Sequence, residues 1–190
     1  MKKYTQFAIF ALILGSGAFL TSSCNKDDDP VYYPTPTPTL YTKLGGTTMV
    51  SDPANPGVMI EKGRLGLRSV VDSTIYVIAG DPQLNGFFTP LLVEVGAGNT
   101  TGFAALSKNL TDFFCVGTGA THFTYSGKNM VAAHDPATNA RMTAKANNAN
   151  FDRFIADVVT GAQQNSVPNN LIGEVGAVIE TLRADVVQAP

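Results

Sequence analysis

The chain has 190 residues, 44% apolar and 15% charged, with 13 basic against 15 acidic side chains. That is enough apolar material for one packed domain with appendages, and a mildly acidic balance without a basic stripe excludes a phosphate-gripping nucleic-acid surface. The two cysteines, Cys24 and Cys115, make no CxxC or Cys/His pair with zinc spacing. No G-x-S-x-G elbow supports a hydrolase either.

Met1-Lys2-Lys3 is a positive start, followed by a short apolar stretch from Phe7 to Leu20 that Gly15, Ser16 and Gly17 interrupt. It falls short of the ~20 residues of a membrane span, and residues 1–23 read as a secretory signal. Leu20-Thr21-Ser22-Ser23-Cys24 sets small residues before a cysteine and resembles the lipobox of bacterial lipoproteins, with Thr21 where leucine is usual. The resemblance implies cleavage before Cys24 and a lipid on it, which would make the membrane a partner. The residues by themselves also fit a plain signal peptide with an incidental cysteine. Asn25-Lys26-Asp27-Asp28-Asp29 is a solvated charge run that resembles the acidic tag of surface lipoproteins in Bacteroidetes-type bacteria. The expected address is the bacterial cell envelope, lipid-anchored at the outer membrane. Residues 24–39 form an acidic, proline-rich tether; Pro30–Thr39, if extended, would span about 30 Å.

The globular domain is expected over 40–190. Leu40–Gly46 reads as a short helical turn ended by a glycine pair. Thr47–Gly57 reads as a loop. Glu61–Ala79 carries Leu65, Val70, Val71, Ile75 and Ile78 as much of an apolar helical stripe, stopped by Gly80-Asp81-Pro82. Leu84, Phe87 and Phe88 are expected as buried anchors near a turn. Thr89–Thr101 is ambiguous, since L-L-V-E-V suits a short strand. Gly102–Val116 is helical, with Phe103, Leu106, Leu110, Phe113 and Phe114 on one face. Lys128–Ala133 is a short helix leading into His134, and Asp135-Pro136 should stop it. Asn147–Ala162 is a helix capped by asparagine, and a last helix starts at Pro168 with Leu171, Ile172, Val175, Val178, Ile179 and Leu182 inward. The class is all-α.

The chain has two histidines, His122 in a loop-like segment and His134 at a helix end. On local grounds His134 fits a helix C-terminus, where its charge meets the dipole. Five collinear segments weigh the other way: L-Y-T-K-L-G-G at 40–46, V-V-D-S-T-I-Y-V-I-A-G-D-P-Q-L-N-G-F-F at 70–88, Y-S-G-K-N-M-V-A-A-H at 125–134, F-D-R-F at 151–154 and V-P-N-N-L-I-G-E-V-G-A-V-I-E-T-L at 167–182. Together they resemble group 1 truncated haemoglobins. The resemblance implies a truncated globin-like two-over-two helical sandwich holding haem b. His134 then matches the proximal iron ligand, and Phe88, Met130, Phe151 and Ile179 match pocket-lining positions. The usual distal tyrosine falls on Ile75 and the usual distal glutamine on Leu110. The implied distal pocket is Ile75, Leu106, Leu110 and Phe114, without a hydrogen-bond donor, so O2 or NO would be held without donor assistance. Tyr76 lies about 100° further round the helix than Ile75; a register slip caused by an insertion before residue 70 would bring it in instead. Insertions around 47–64, 89–102 and 135–149 set this chain apart from the family pattern.

Three functions fit these readings. The first is a lipid-anchored haem protein that binds O2 or NO or does haem redox chemistry. The second is a haem capture or carrier lipoprotein. The third is a globin fold that has lost haem and acts as an interaction domain. A binding protein is favoured over an enzyme. Cys115, beside Phe114 on a helix, reads as a small buried hydrophobe.

Overall fold

The computed structural model describes residues 36–190. The signal-like segment, Cys24 and most of the tether lie outside the described residues. Eight α-helices and one small hairpin are present among those described.

Helix α1 (Leu40–Lys43) is capped by the Thr39 side chain, which accepts from the Thr42 amide. Gly45 and Gly46 follow with positive φ, the left-handed backbone that lets the chain reverse after one turn. The segment expected as a plain loop contains an antiparallel hairpin, β1 (Met49–Ser51) and β2 (Met59–Glu61), with Val50 opposite Ile60. Pro53 and Pro56 lie in its connection and leave only three residues per strand. The buried Asp52 carboxylate holds the connection: it accepts from the Ala54 amide and Asn55, and pairs with both Arg68 guanidinium nitrogens at 3.0 and 2.6 Å.

Helix α2 (Lys62–Gly80) buries Leu67, Val71, Thr74, Ile75 and Ile78 along one face and packs on α4 and α6. Its crossing with α6 is close. A Cβ on Gly161 would overlap Thr74 Oγ1 and lie 2.9 Å from the Thr74 amide, so only glycine allows this approach. After a 3₁₀ turn at Asn85–Phe88, the ambiguous stretch resolves as helix α3 (Thr89–Gly96), with Pro90 in its first turn. Leu84 is buried, while Phe87 and Phe88 are half-buried.

Helix α4 (Thr101–Gly117) is followed by an irregular stretch and by α5 (Met130–His134), capped by Asn129. Helix α6 (Asn148–Gln164) begins with a reciprocal capping box between Asn147 and Asn150. Helix α7 (Asn169–Glu180) ends earlier than expected, and the chain turns once more as α8 (Arg183–Val186). The pair α2 and α4 lies over the pair α6 and α7, with Phe114, Phe151 and Ile179 in the shared core. No helix among the described residues is long and apolar enough to cross a membrane.

Candidate functional site

Helix α5 is a single turn, so its position is set by tertiary contacts rather than propensity. Asn129 caps its start by accepting from the Ala132 amide at 2.8 Å. The insertion after His134 caps its end: Thr138 Oγ1 donates to the Ala132 carbonyl and Asn139 Nδ2 to the Ala133 carbonyl, both at 2.7 Å. These are carbonyls that a helix end otherwise leaves unpaired. The same insertion is tied to the 3₁₀ turn by Thr143, whose amide and hydroxyl donate to Phe87 and Gly86 carbonyls. The C-terminal tail closes the frame, with Gln188 Nε2 donating to the Val131 carbonyl. Asp135-Pro136 therefore ends the helix without leaving His134 loosely held.

His134 Nδ1 lies 2.8 Å from the Met130 carbonyl oxygen. A carbonyl only accepts, so Nδ1 carries the proton and Nε2 keeps its lone pair in the neutral ring. Nε2 has no hydrogen-bond partner among the described residues. Burial lowers the His134 pKa, outweighing the opposing effect of the Met130 carbonyl. The imidazole is thus presented as a neutral donor with its free nitrogen available to a metal.

Three cavities meet at His134. The largest, about 240 Å³, lies between α4 and α5 and is lined by Phe88, Leu106, Leu110 and Met130. One of about 100 Å³ reaches Ile75, Ile78, Leu110 and Phe154. Another of about 100 Å³ runs behind His134 past Phe114, Met142, Phe151 and Ile179. The structure therefore brings together Phe88, Ile75, Leu106, Leu110, Phe114, Met130, Phe151, Ile179 and His134. Tyr76 is not among them. Ile75 is 9% exposed and Tyr76 69% exposed, with the phenol ring against Phe103 on the outside of α2. The hairpin before residue 70 ends at Glu61, and α2, starting at Lys62, turns Ile75 inward and Tyr76 outward, about 100° apart. His122 also stands apart, with Nε2 2.5 Å from Glu61 Oε1 beside Tyr41.

The sequence reading missed the rim. Tyr125, Lys128, Asn109, Asn139 and Arg141 line the mouth of the α4–α5 chamber. Arg141 pairs with Glu94 of α3 at 3.2 Å, so the insertions at 89–102 and 135–149 meet there. The Lys128 ammonium contacts the Thr138 carbonyl. Met142, buried in the same insertion, touches two of the three cavities. The one usable signal was the pair of cations flanking the histidine in sequence. Chemically the site is one neutral imidazole nitrogen in an apolar chamber with a cationic mouth, which suits a flat apolar group bearing a metal and an anionic edge.

No protein-family model matches the chain, and no curated protein matches it. Solved structures do. The truncated haemoglobin of Tetrahymena pyriformis in its Fe(III) form is similar at 24% identity and TM-score 0.56, over 79% of this chain and 98% of that one. A point mutant of that protein, also in the Fe(III) form, gives the same values. The 2/2 haemoglobin of Synechococcus sp. PCC 7002, in the cyanomet state with covalently attached haem, is similar at 24% identity and TM-score 0.54, over 80% of this chain and 100% of that one. The fold of the domain is the two-over-two helical sandwich of the truncated haemoglobins.

Proposed function

We propose that the chain is a haem-binding globin in which His134 Nε2 is the axial iron ligand. The observation that carries this is the Nδ1–Met130 hydrogen bond, which leaves Nε2 as a free lone pair inside an apolar chamber. Likeness of fold to haem-bound truncated haemoglobins supports it. Haem iron, when bound, supplies an open position for a diatomic ligand or a centre for one-electron chemistry.

The chain's own residues do the rest. The Met130 carbonyl fixes the tautomer and ring orientation of His134. Phe88, Met130 and Leu110 form apolar walls that exclude water. Lys128 at the mouth offers positive charge to a carboxylate of the haem edge, and Arg141 stands beside it held by Glu94. On the side opposite His134, Ile75, Leu106 and Leu110 offer no donor to a polar diatomic ligand. Cys115 is fully buried and does not line the chamber, so it is not placed to bond a haem vinyl group.

The test is an absorption spectrum after mixing haemin with the chain and with His134→Ala. A Soret band at one haemin per chain in the parent, lost or shifted in the variant, is expected. Unsaturable haemin uptake, identical in both proteins, would sink the reading. We further propose that the chain is a lipoprotein of a bacterial envelope, lipidated on Cys24. The segment Leu20-Thr21-Ser22-Ser23-Cys24 supports this. Incorporation of labelled palmitate that Cys24→Ser abolishes is the expected result.

A further inference from the structure

We propose that a further cavity, one that His134 does not line, binds a single-chain fatty acid with its carboxylate at Lys62. The inference is independent of haem. The cavity measures about 460 Å³ and runs among α2, α6 and α7. Protein interiors are close-packed and seldom keep voids larger than a water molecule. Ligand sites, by contrast, are clefts of ~300–1,000 Å³ with mostly apolar walls and a few polar groups. The walls here are mainly branched aliphatics, among them Val70, Val158, Leu171 and Val175. Such walls suit a flexible alkyl chain.

Charge selects the head group. The two charged residues lining the cavity are Lys43 and Lys62, at the corner where α1 meets the start of α2. Glu174 neutralises Lys43 at 2.7 Å. Lys62 is exposed and has no ion pair among the described residues. A cavity with aliphatic walls and one unpaired cation at its mouth is complementary to an alkyl chain ending in one negative charge. Ile75, Ile78, Leu110 and Phe154 line both this cavity and one of the three that reach His134, and Phe114 and Ile179 are walls shared with another. A bound alkyl chain would therefore lie against the back wall of the histidine site without entering it.

The experiment titrates the full chain with 11-(dansylamino)undecanoic acid and follows its fluorescence. One probe per chain with blue-shifted emission, displaced by myristic acid, is expected. Lys62→Glu should weaken the acid about ten-fold while changing the affinity of myristyl alcohol by less than about two-fold. Val70→Phe, which fills the cavity, should abolish binding; Val175→Phe serves if the first variant fails to fold by circular dichroism. The proposal is overturned by an absence of saturable binding. Equal affinity in the parent, Lys62→Glu and a folded filling variant overturns it too. So does competitive displacement by haemin, which would put the probe in the His134 chamber.

Discussion

Ile75 and Tyr76 are sequence neighbours about 100° apart on α2: the isoleucine lines a cavity that reaches His134 and the tyrosine faces solvent. A single residue of register thus decides whether α2 presents an alkyl group or a phenol to that cavity. Haem-loaded Ile75→Tyr should release O2 about ten-fold more slowly, the scale of one added hydrogen bond. Tyr76→Phe should leave the rate unchanged. Stopped-flow O2 dissociation separates the two. A slower parent rate that Tyr76→Phe abolishes would place the phenol inside the chamber after all.

Arg141 and Glu94 join two insertions at the mouth of the same chamber. The pair is exposed, so it contributes little to folding, but it sets how much positive charge faces the haem edge. Arg141→Glu should speed haem transfer to apo-myoglobin roughly three- to ten-fold. Glu94→Gln frees Arg141 and should slow transfer. Both effects should shrink in high salt. Fast transfer from the parent itself would favour a carrier over a gas binder. Transfer rates indifferent to both variants would show that the rim does not meet the haem edge.

Periodicity made the long helices legible. The stripe from Leu65 to Ile78 and the face from Phe103 to Phe114 bounded α2 and α4 to within a residue or so. Short elements were harder to read. Residues 91–95 suit strand or helix, and only docking against α4 makes them helical. The hairpin at 49–61 was masked by its own prolines. The eight apolar positions that line cavities beside His134 were named from the family resemblance, and the structure gathers them there. The cationic rim was not legible, since Arg141 lies in an aperiodic insertion whose place depends on hydrogen bonds from Thr138, Asn139 and Thr143. No local pattern encodes such bonds.

Cys115 is wholly buried against the core, and burial raises its pKa to about 11, with Arg64 opposing. The thiolate, not the thiol, is the reactive form. In a Cys24→Ser chain, Cys115 should fail to react with a disulfide reagent at pH 8 until denaturant unfolds the domain. Rapid reaction under native conditions would show that the α4 core opens readily.

Asp81 and Asp157 are both buried and share one arginine. Arg153 Nε lies 2.6 Å from Asp81, whereas its Nη2 is 3.5 Å from Asp157, whose Oδ2 has no partner. The pairing with Arg153 lowers the Asp81 pKa, so Asp81 adds stability above the ordinary carboxylate value of about 3.9 and loses it as pH falls through its depressed value. Asp157 behaves oppositely. Burial first, then the Asp81 charge, raises its pKa, so the folded state favours the neutral acid. Stability should fall as pH rises from about 3.9 to the raised value and stay reduced above it. Asp157→Asn should therefore raise stability at pH 7 by about 1 kcal/mol, the scale of relieving a buried unpartnered oxygen, and flatten that decline. Asp81→Asn should lower stability at pH 7. Urea unfolding from pH 4 to 8 measures both. An Asp157→Asn chain that is less stable at pH 7, with the decline intact, would mean that the ionised Asp157 supports the fold through Arg153.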